Sequence, residues 1–187
     1  MEARSPSWPE NRRAPGRLEL VRRLLNTHHL ESDTDILTSR DEVSSWLASE
    51  GHAPSKRVSQ QAAETVRTFR SRLRASIENP SIAATDTTDW LFTSEYKLVQ
   101  FVLVEDVPLV EGADADPAKR YLTTLSIIIA EALRDGLWDR FRTCANPACR
   151  WGFYDNSKNG SGRWCSMDTC GARNKMSAFR AKATAKS

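Results

Sequence analysis

Apolar positions along the chain recur with helical spacing, in runs separated by short polar breaks. In "RLELVRRLLN", Leu18, Val21, Leu24 and Leu25 share one face and predict an amphipathic helix. "SRDEVSSWLASEG" opens with Ser39 and Glu42 at capping-box spacing and closes at Gly51, so a second helix is expected between them. Pro54 and Ser55 introduce a long third helix running to about Ile77, with Val58, Ala62, Val66, Phe69, Leu73 and Ile77 as its buried stripe. Arg67, Arg70, Arg72 and Arg74 lie on the same helix and read as a solvated face. Asp116 and Pro117 supply the cap and first residue of a fourth helix. Its sequence, "YLTTLSIIIAEALRDG", is apolar nearly all round. That predicts a central buried helix ending near Gly136, with Ile127, Ile128, Ile129 and Leu133 inside.

Between the third and fourth helices, "WLFTSEYKLVQFVLVEDVPL" is rich in strand formers and predicts strands at about 89–93 and 97–104, paired as a small β-hairpin. Residues 1–16 hold three prolines and no periodicity, and read as a flexible arm. The expected fold is therefore mainly α with a small β-hairpin. Its parts are the arm, a helical domain over 17–140 and a C-terminal module over 141–187.

That module carries the distinctive chemistry. All four cysteines of the 187-residue chain fall within "CANPACRWGFYDNSKNGSGRWCSMDTC". Four residues separate Cys144 from Cys149, four separate Cys165 from Cys170, and fifteen separate the pairs. Two close pairs joined by a medium loop bring four sulfurs to one point at low entropic cost, the usual donor set of a structural zinc. Two disulfides, an iron–sulfur cluster or four free thiols are the competing readings. No apolar, basic-flanked segment opens the chain, so a cytoplasmic location is expected, where disulfides are rare. Iron–sulfur ligands follow a different overall rhythm. The reading is one structural Zn²⁺ per chain, bound by Cys144, Cys149, Cys165 and Cys170.

"RWGFYD" reads as a strand and "NSKNGSG" as a turn, so a hairpin is expected between Cys149 and Cys165. Ser166 is a candidate cap for a terminal helix. Ala172, Met176, Phe179 and Ala183 form its apolar stripe, expected to dock on that hairpin. Knuckle, hairpin and helix around one zinc describe a treble-clef-like finger.

The stretch "RTCANPACRWGFYDNSKNGSGRWCSMDTCGARNKMSAFRAK" resembles the CGNR zinc finger. Arg163, Trp164, Cys165, Ser166, Met167, Cys170, Gly171, Arg173 and Lys175 match the pattern of that family. Ala172 replaces the signature Asn, and Gly162 the first of its usual arginine pair. Upstream, "LLNTHH" and "DILTSRDEVSSWL" are similar to the start of the ABATE domain that commonly precedes this finger. The resemblance implies a stress-responsive bacterial transcription regulator, with the helical domain as sensor.

Charge points the same way. Residues 141–187 hold nine Lys/Arg and two Asp/Glu, a net +7, while residues 1–140 hold 18 and 22, a net −4. A basic module on an acidic body suits nucleic acid. Arg150, Lys158, Arg163, Arg173, Lys175, Arg180 and Lys182 are the candidate contacts to duplex DNA. No apolar run approaches the length of a membrane span. Neighbouring His28 and His29 and a lone His52 form no catalytic motif, and a four-thiolate zinc has no open coordination position, so no enzyme is expected. The partners expected are duplex DNA, a small-molecule effector on the helical domain and a second copy in a homodimer. In the alternative reading the finger docks a partner protein.

Overall fold

The third helix begins later than its proline suggests, because Ser59 is its cap. Its hydroxyl accepts from the Ala62 N–H at 3.1 Å, and the helix runs Gln60–Glu78. In the computed structural model, which describes residues 12–52, 57–78, 100–104, 107–111 and 116–184, this is α3. It is preceded by α1 (Leu18–Leu25), the short strands β1 (His28–His29) and β2 (Thr34–Asp35), and α2 (Arg40–Ser49). β3 (Gln100–Val104), β4 (Val107–Glu111) and α4 (Pro117–Arg134) follow. One 3-10 turn (Trp138–Arg140) leads to β5 (Phe141–Thr143) and β6 (Gly152–Tyr154). A π-helical turn (Met167–Gly171) then opens into α5 (Ala172–Thr184).

The local signals of the helices act as expected. Ser39 and Glu42 form a reciprocal capping box on α2, and Asp116 caps α4 ahead of Pro117. The β-hairpin differs from expectation. β3 lies within the predicted 97–104 segment, but its antiparallel partner is β4, in register Val104↔Val107 to Gln100↔Glu111. Two residues connect the strands, a favoured hairpin link. The strand expected at 89–93 lies outside the described residues.

α1, α2, α3 and α4 enclose one core. Leu24, Leu25, Leu47, Val66, Phe69, Leu73, Leu122, Leu125 and Ile129 are fully buried in it. Trp46 meets Tyr121 edge-on, with ring centroids 5.3 Å apart. Ile128 is also buried, whereas Ile127 is half-buried and Leu133 is exposed near the end of α4. Phe141 and Tyr154, from β5 and β6, belong to this same core.

The arginines of α3 are not a solvated face. Arg70 and Arg74 are buried, and Arg67 is half-buried. They form the row beside the apolar stripe, and the 25–38 segment lies over that row. Guanidinium groups bond carbonyls at both ends of this segment, beyond the short β1–β2 ladder. Arg67 donates to Leu37 O at 3.0 Å, and Arg74 to Leu25 O at 2.5 Å. Arg70 grips the Asp35 carboxylate with both terminal nitrogens and donates to Thr27 Oγ1 at 2.7 Å. Arg72 remains on the exposed side.

Burial pushes the Asp35 carboxyl upward. The bonds from Arg70 and from the Leu37 N–H outweigh it and hold the group below its ordinary value. The folded carboxyl is therefore the stronger acid. Its contribution to stability is complete above the ordinary aspartate range and is lost as pH falls through the depressed value. Asp35→Ala leaves the buried Arg70 charge unpaired and should cost about 3–5 kcal/mol, read from the midpoint of urea unfolding at neutral pH. The variant should also lose part of the stability change on acidification below about pH 4. An unchanged midpoint at neutral pH would contradict the pairing.

Candidate metal centre

β5 and β6 form an antiparallel ladder pairing Phe141 with Tyr154, Arg142 with Phe153 and Thr143 with Gly152. The Cys144 N–H extends it by donating to Trp151 O at 2.8 Å. Between the strands the chain closes a knuckle. The N–H groups of Cys149 and Arg150 both donate to Asn146 O, and the Ala148 N–H donates to Asn146 Oδ1. Arg150 takes the left-handed backbone conformation, φ 49°, that ends this turn. The hairpin thus surrounds the first cysteine pair, whereas the pattern had placed it between Cys149 and Cys165. Residues 163–165 form no strand; the Ala145 N–H donates to Arg163 O at 2.8 Å.

The intervening turn is wrapped around a carboxylate. Asp155 is fully buried and accepts from the Gly162 N–H at 2.6 Å and the Ser157 N–H at 3.1 Å. Arg12 Nη1 lies 3.6 Å from it. Burial raises the Asp155 carboxyl, but these hydrogen bonds and the arginine more than reverse the effect. A Cβ on Gly162 would stand 2.6 Å from Asp155 Oδ1, so only glycine fits where the resemblance leads one to expect arginine. Arg12 also lies over the Phe153 ring, and Arg13 O accepts from Asn156 Nδ2 at 3.1 Å. Residues 12 and 13 of the predicted flexible arm therefore dock on the finger.

The second pair straddles a helix start. Ser166 Oγ accepts from the Thr169 N–H, as its cap role predicts. The wide π turn Met167–Gly171 follows, carrying Cys170 beside Cys165. Gly171 N–H closes it on Ser166 O at 3.0 Å. A π turn at this point fits the general association of such bulges with functional sites.

All four sulfurs are buried and lie within 4.8 Å of one another. Cys149 and Cys165 Sγ are 3.6 Å apart, Cys165 and Cys170 Sγ 3.8 Å. A tetrahedron with Zn–S bonds of about 2.3 Å has S···S edges of about 3.8 Å, so the donor set fits zinc directly. Hydrogen bonds from Cys149 and Cys165 pull Cys144 down to about 2, and that thiolate pushes Cys149 up to about 12 and Cys165 upward too. A bound Zn²⁺ would take all four sulfurs as thiolates, releasing the protons that Cys149 and Cys165 hold without it. Asn146 Nδ2 lies 3.7 Å from Cys170 Sγ and can donate to that sulfur, a role nothing in the knuckle sequence signals.

The finger is joined to the helical body through backbone and side chain alike. The Asn26 amide donates to Gly152 O at 2.9 Å and accepts from the Gly152 N–H at 2.8 Å. Leu25 Cδ1 would lie 3.0 Å from any Cβ at position 152. His29 stands edge-on to the buried Trp151, centroids 5.5 Å apart. At the end of α1, Asn26 looks like an ordinary helix terminator, so periodicity alone gives no sign of this clamp.

The seven basic candidates are dispersed. Arg150 pairs with Glu78 at the end of α3, its Nε 2.7 Å from Oε1. Arg173 pairs with Glu31. Arg163 lies over its neighbour Trp164, 5.4 Å from the ring centroid. Lys158, Lys175, Arg180 and Lys182 are exposed, and no described carboxylate pairs with them. α5 buries no residue. Its stripe does not dock as expected: Met176 is 54% and Phe179 70% exposed. The hairpin that was to receive it is turned instead into the helical core. Ala172 is exposed as well, so the missing signature Asn leaves no gap in the packing.

Four convergent cysteines on a knuckle and a helix start define a treble-clef-like finger holding one structural zinc. Residues 140–183 match the CGNR zinc finger family. No curated protein matches the chain. No helix among the described residues is long and apolar enough to cross a membrane.

Two outcomes follow from this geometry. Cys165→Ser or Cys170→Ser should abolish stoichiometric zinc and release residues 155–184 to fast amide exchange. Slow exchange should persist in α3 and α4, because Phe141 and Tyr154 hold the hairpin in the helical core. Loss of protection across all helices would show that the body depends on the metal. Phe179→Ser should shift the melting temperature by less than about 2 °C, since surface changes are usually worth under about 0.5 kcal/mol. A larger fall would mean that the stripe is packed after all.

Proposed function

We propose that the chain is a DNA-binding transcription regulator, non-enzymatic and cytoplasmic, whose zinc finger contacts duplex DNA while the helical body responds to a small-molecule effector. The observation that supports it is α5. It is a 13-residue helix with no buried residue, rooted beside the zinc ligand Cys170 and edged by Lys175, Arg180 and Lys182. At about 1.5 Å per residue its length suits a major groove about 12 Å wide. Zinc fixes the base of the helix, so its cations are presented in one orientation. The metal has no open position, consistent with a structural rather than a catalytic role. Arg150 and Arg173 already face carboxylates. Such partly exposed pairs are worth only about 0–1 kcal/mol, so phosphate can displace Glu78 and Glu31 cheaply.

A second reading rests on Met176 and Phe179. An exposed aromatic on a cationic helix also suits an acidic protein surface, or a second copy of this chain covering the stripe. The two readings separate on salt. Phosphate contacts by Lys158, Arg163, Lys175, Arg180 and Lys182 predict that log affinity for duplex DNA falls against log salt with a slope of about −4.5. Lys175→Glu with Arg180→Glu should weaken binding about a hundredfold or more at moderate salt, with zinc content unchanged. Zinc-loaded protein with no salt-dependent binding tighter than about 10⁻⁴ M would overturn the DNA reading and leave protein docking.

A further inference from the structure

A groove of about 880 Å³ lies where the helical body meets the finger. That is the size range of small-molecule sites. Its body side is apolar, formed by Ile77 from α3, Leu133 from α4 and the Trp138 ring, which stacks on Phe141 with centroids 5.0 Å apart. Its finger side is cationic, with Arg142, Arg150 and Arg163 along the wall. Glu78 and Asp139 are the acidic residues lining it. Three guanidinium groups against two carboxylates leave the lining net positive, which favours an anion.

We propose that this groove binds a small amphipathic anion, a flat apolar body carrying one carboxylate or phosphate. The inner arrangement supplies the argument. Arg150 is held in its left-handed backbone conformation with its guanidinium fork on the Glu78 carboxylate. Glu78 occupies the place that the head group of a ligand takes, and shows that a two-oxygen acceptor fits there. The pair is partly exposed, with 41% of the Arg150 side chain and 23% of the Glu78 side chain accessible, so an incoming anion can exchange with Glu78. The exposed edge of Leu133, unexpected in a helix so apolar, is accounted for as the wall of this site. A nucleic-acid backbone alone does not use such a wall. Both components meet here, since Cys144 and Ala145 also line the groove. The inference gives the effector of the preceding reading a seat and a chemical class. It rests on that reading only in calling the ligand an effector, because binding is measured without DNA.

The test is calorimetric titration of the zinc-loaded full chain with naphthalene-2-carboxylate, 2-naphthyl phosphate and the uncharged 2-naphthylmethanol. At least one anion should bind one-to-one with Kd below about 1 mM, and the alcohol about tenfold or more weaker, because charge-assisted bidentate bonds to Arg150 are lost. The better of the two anions identifies the head group. Trp138→Ala should weaken binding about tenfold through lost apolar contact. Glu78→Gln should strengthen it several-fold by removing the internal competitor, an effect that non-specific adsorption lacks. Zinc content and melting temperature, recorded for each variant, separate loss of the site from loss of the fold. No saturable binding by either anion, or binding indifferent to both Glu78→Gln and Trp138→Ala in folded protein, overturns the proposal. A chain that binds the anion but not DNA would retain this site and lose the DNA reading.

Discussion

The organisation of the molecule depends on burying a hairpin of two three-residue strands. Phe141 and Tyr154, paired across β5 and β6, enter the core of the helical body. The strands that carry the first two zinc ligands are therefore fixed by hydrophobic burial as well as by metal. Asn26 satisfies both backbone groups of Gly152, so the close approach of α1 leaves that peptide paired. A small zinc module on its own lacks a core and depends on the metal for folding. Here half of its framework belongs to the core of a neighbour, and only the turn, the second cysteine pair and α5 are left to the zinc and to Asp155.

Buried polar contacts hold the remaining joints. The segment between α1 and α2 places Leu37 in the core but is otherwise largely polar, and Arg67, Arg70 and Arg74 gather it by its carbonyls and by Asp35. Buried ion pairs are weak contributors to net stability but costly to break on one side. That asymmetry suits a segment that must keep one register. The same logic applies to Asp155, whose two backbone donors and Arg12 fix the turn between the cysteine pairs. In both places a charge is tolerated inside because several donors converge on it.

Periodicity and spacing made much of this legible. The apolar faces of α1, α3 and α4, the caps at Ser39, Asp116 and Ser166, and the four cysteines are local signals, each set by residues a few positions apart. What stayed hidden is non-local. The α3 arginines lie beside the apolar stripe, and whether that row faces water depends on where the 25–38 segment passes. The hairpin of the finger was placed one cysteine too late. Strand propensity in "RWGFYD" was read correctly, but a strand does not announce its partner, and "FRT" is too short to signal one. Asn26 and Gly152 are 126 residues apart in sequence, a distance at which pattern carries no information. The stripe on α5 failed for a related reason. Amphipathic spacing says that a face can be buried, and only the fold says what is there to bury it.

That open stripe bears directly on the recognition role proposed for the finger. Burying Met176 and Phe179 against the hairpin would have left a small-residue face outward, suited to close approach in a groove. With the hairpin committed to the helical core, every side of α5 is accessible. The cations are distributed around it, Arg173 and Arg180 on one flank and Lys175 and Lys182 on the other. A polyanion can meet either flank, whereas two such helices laid together repel unless counter-charges intervene. Self-association through the stripe is therefore opposed by the same charges that would contact DNA in the proposed reading, and it would become easier once phosphates neutralised them. Binding and pairing are then coupled by mass action: whatever occupies the cationic flanks lowers the cost of covering Phe179. The exposed aromatic and the basic helix are in that case two parts of one recognition surface, each more effective when the other is engaged.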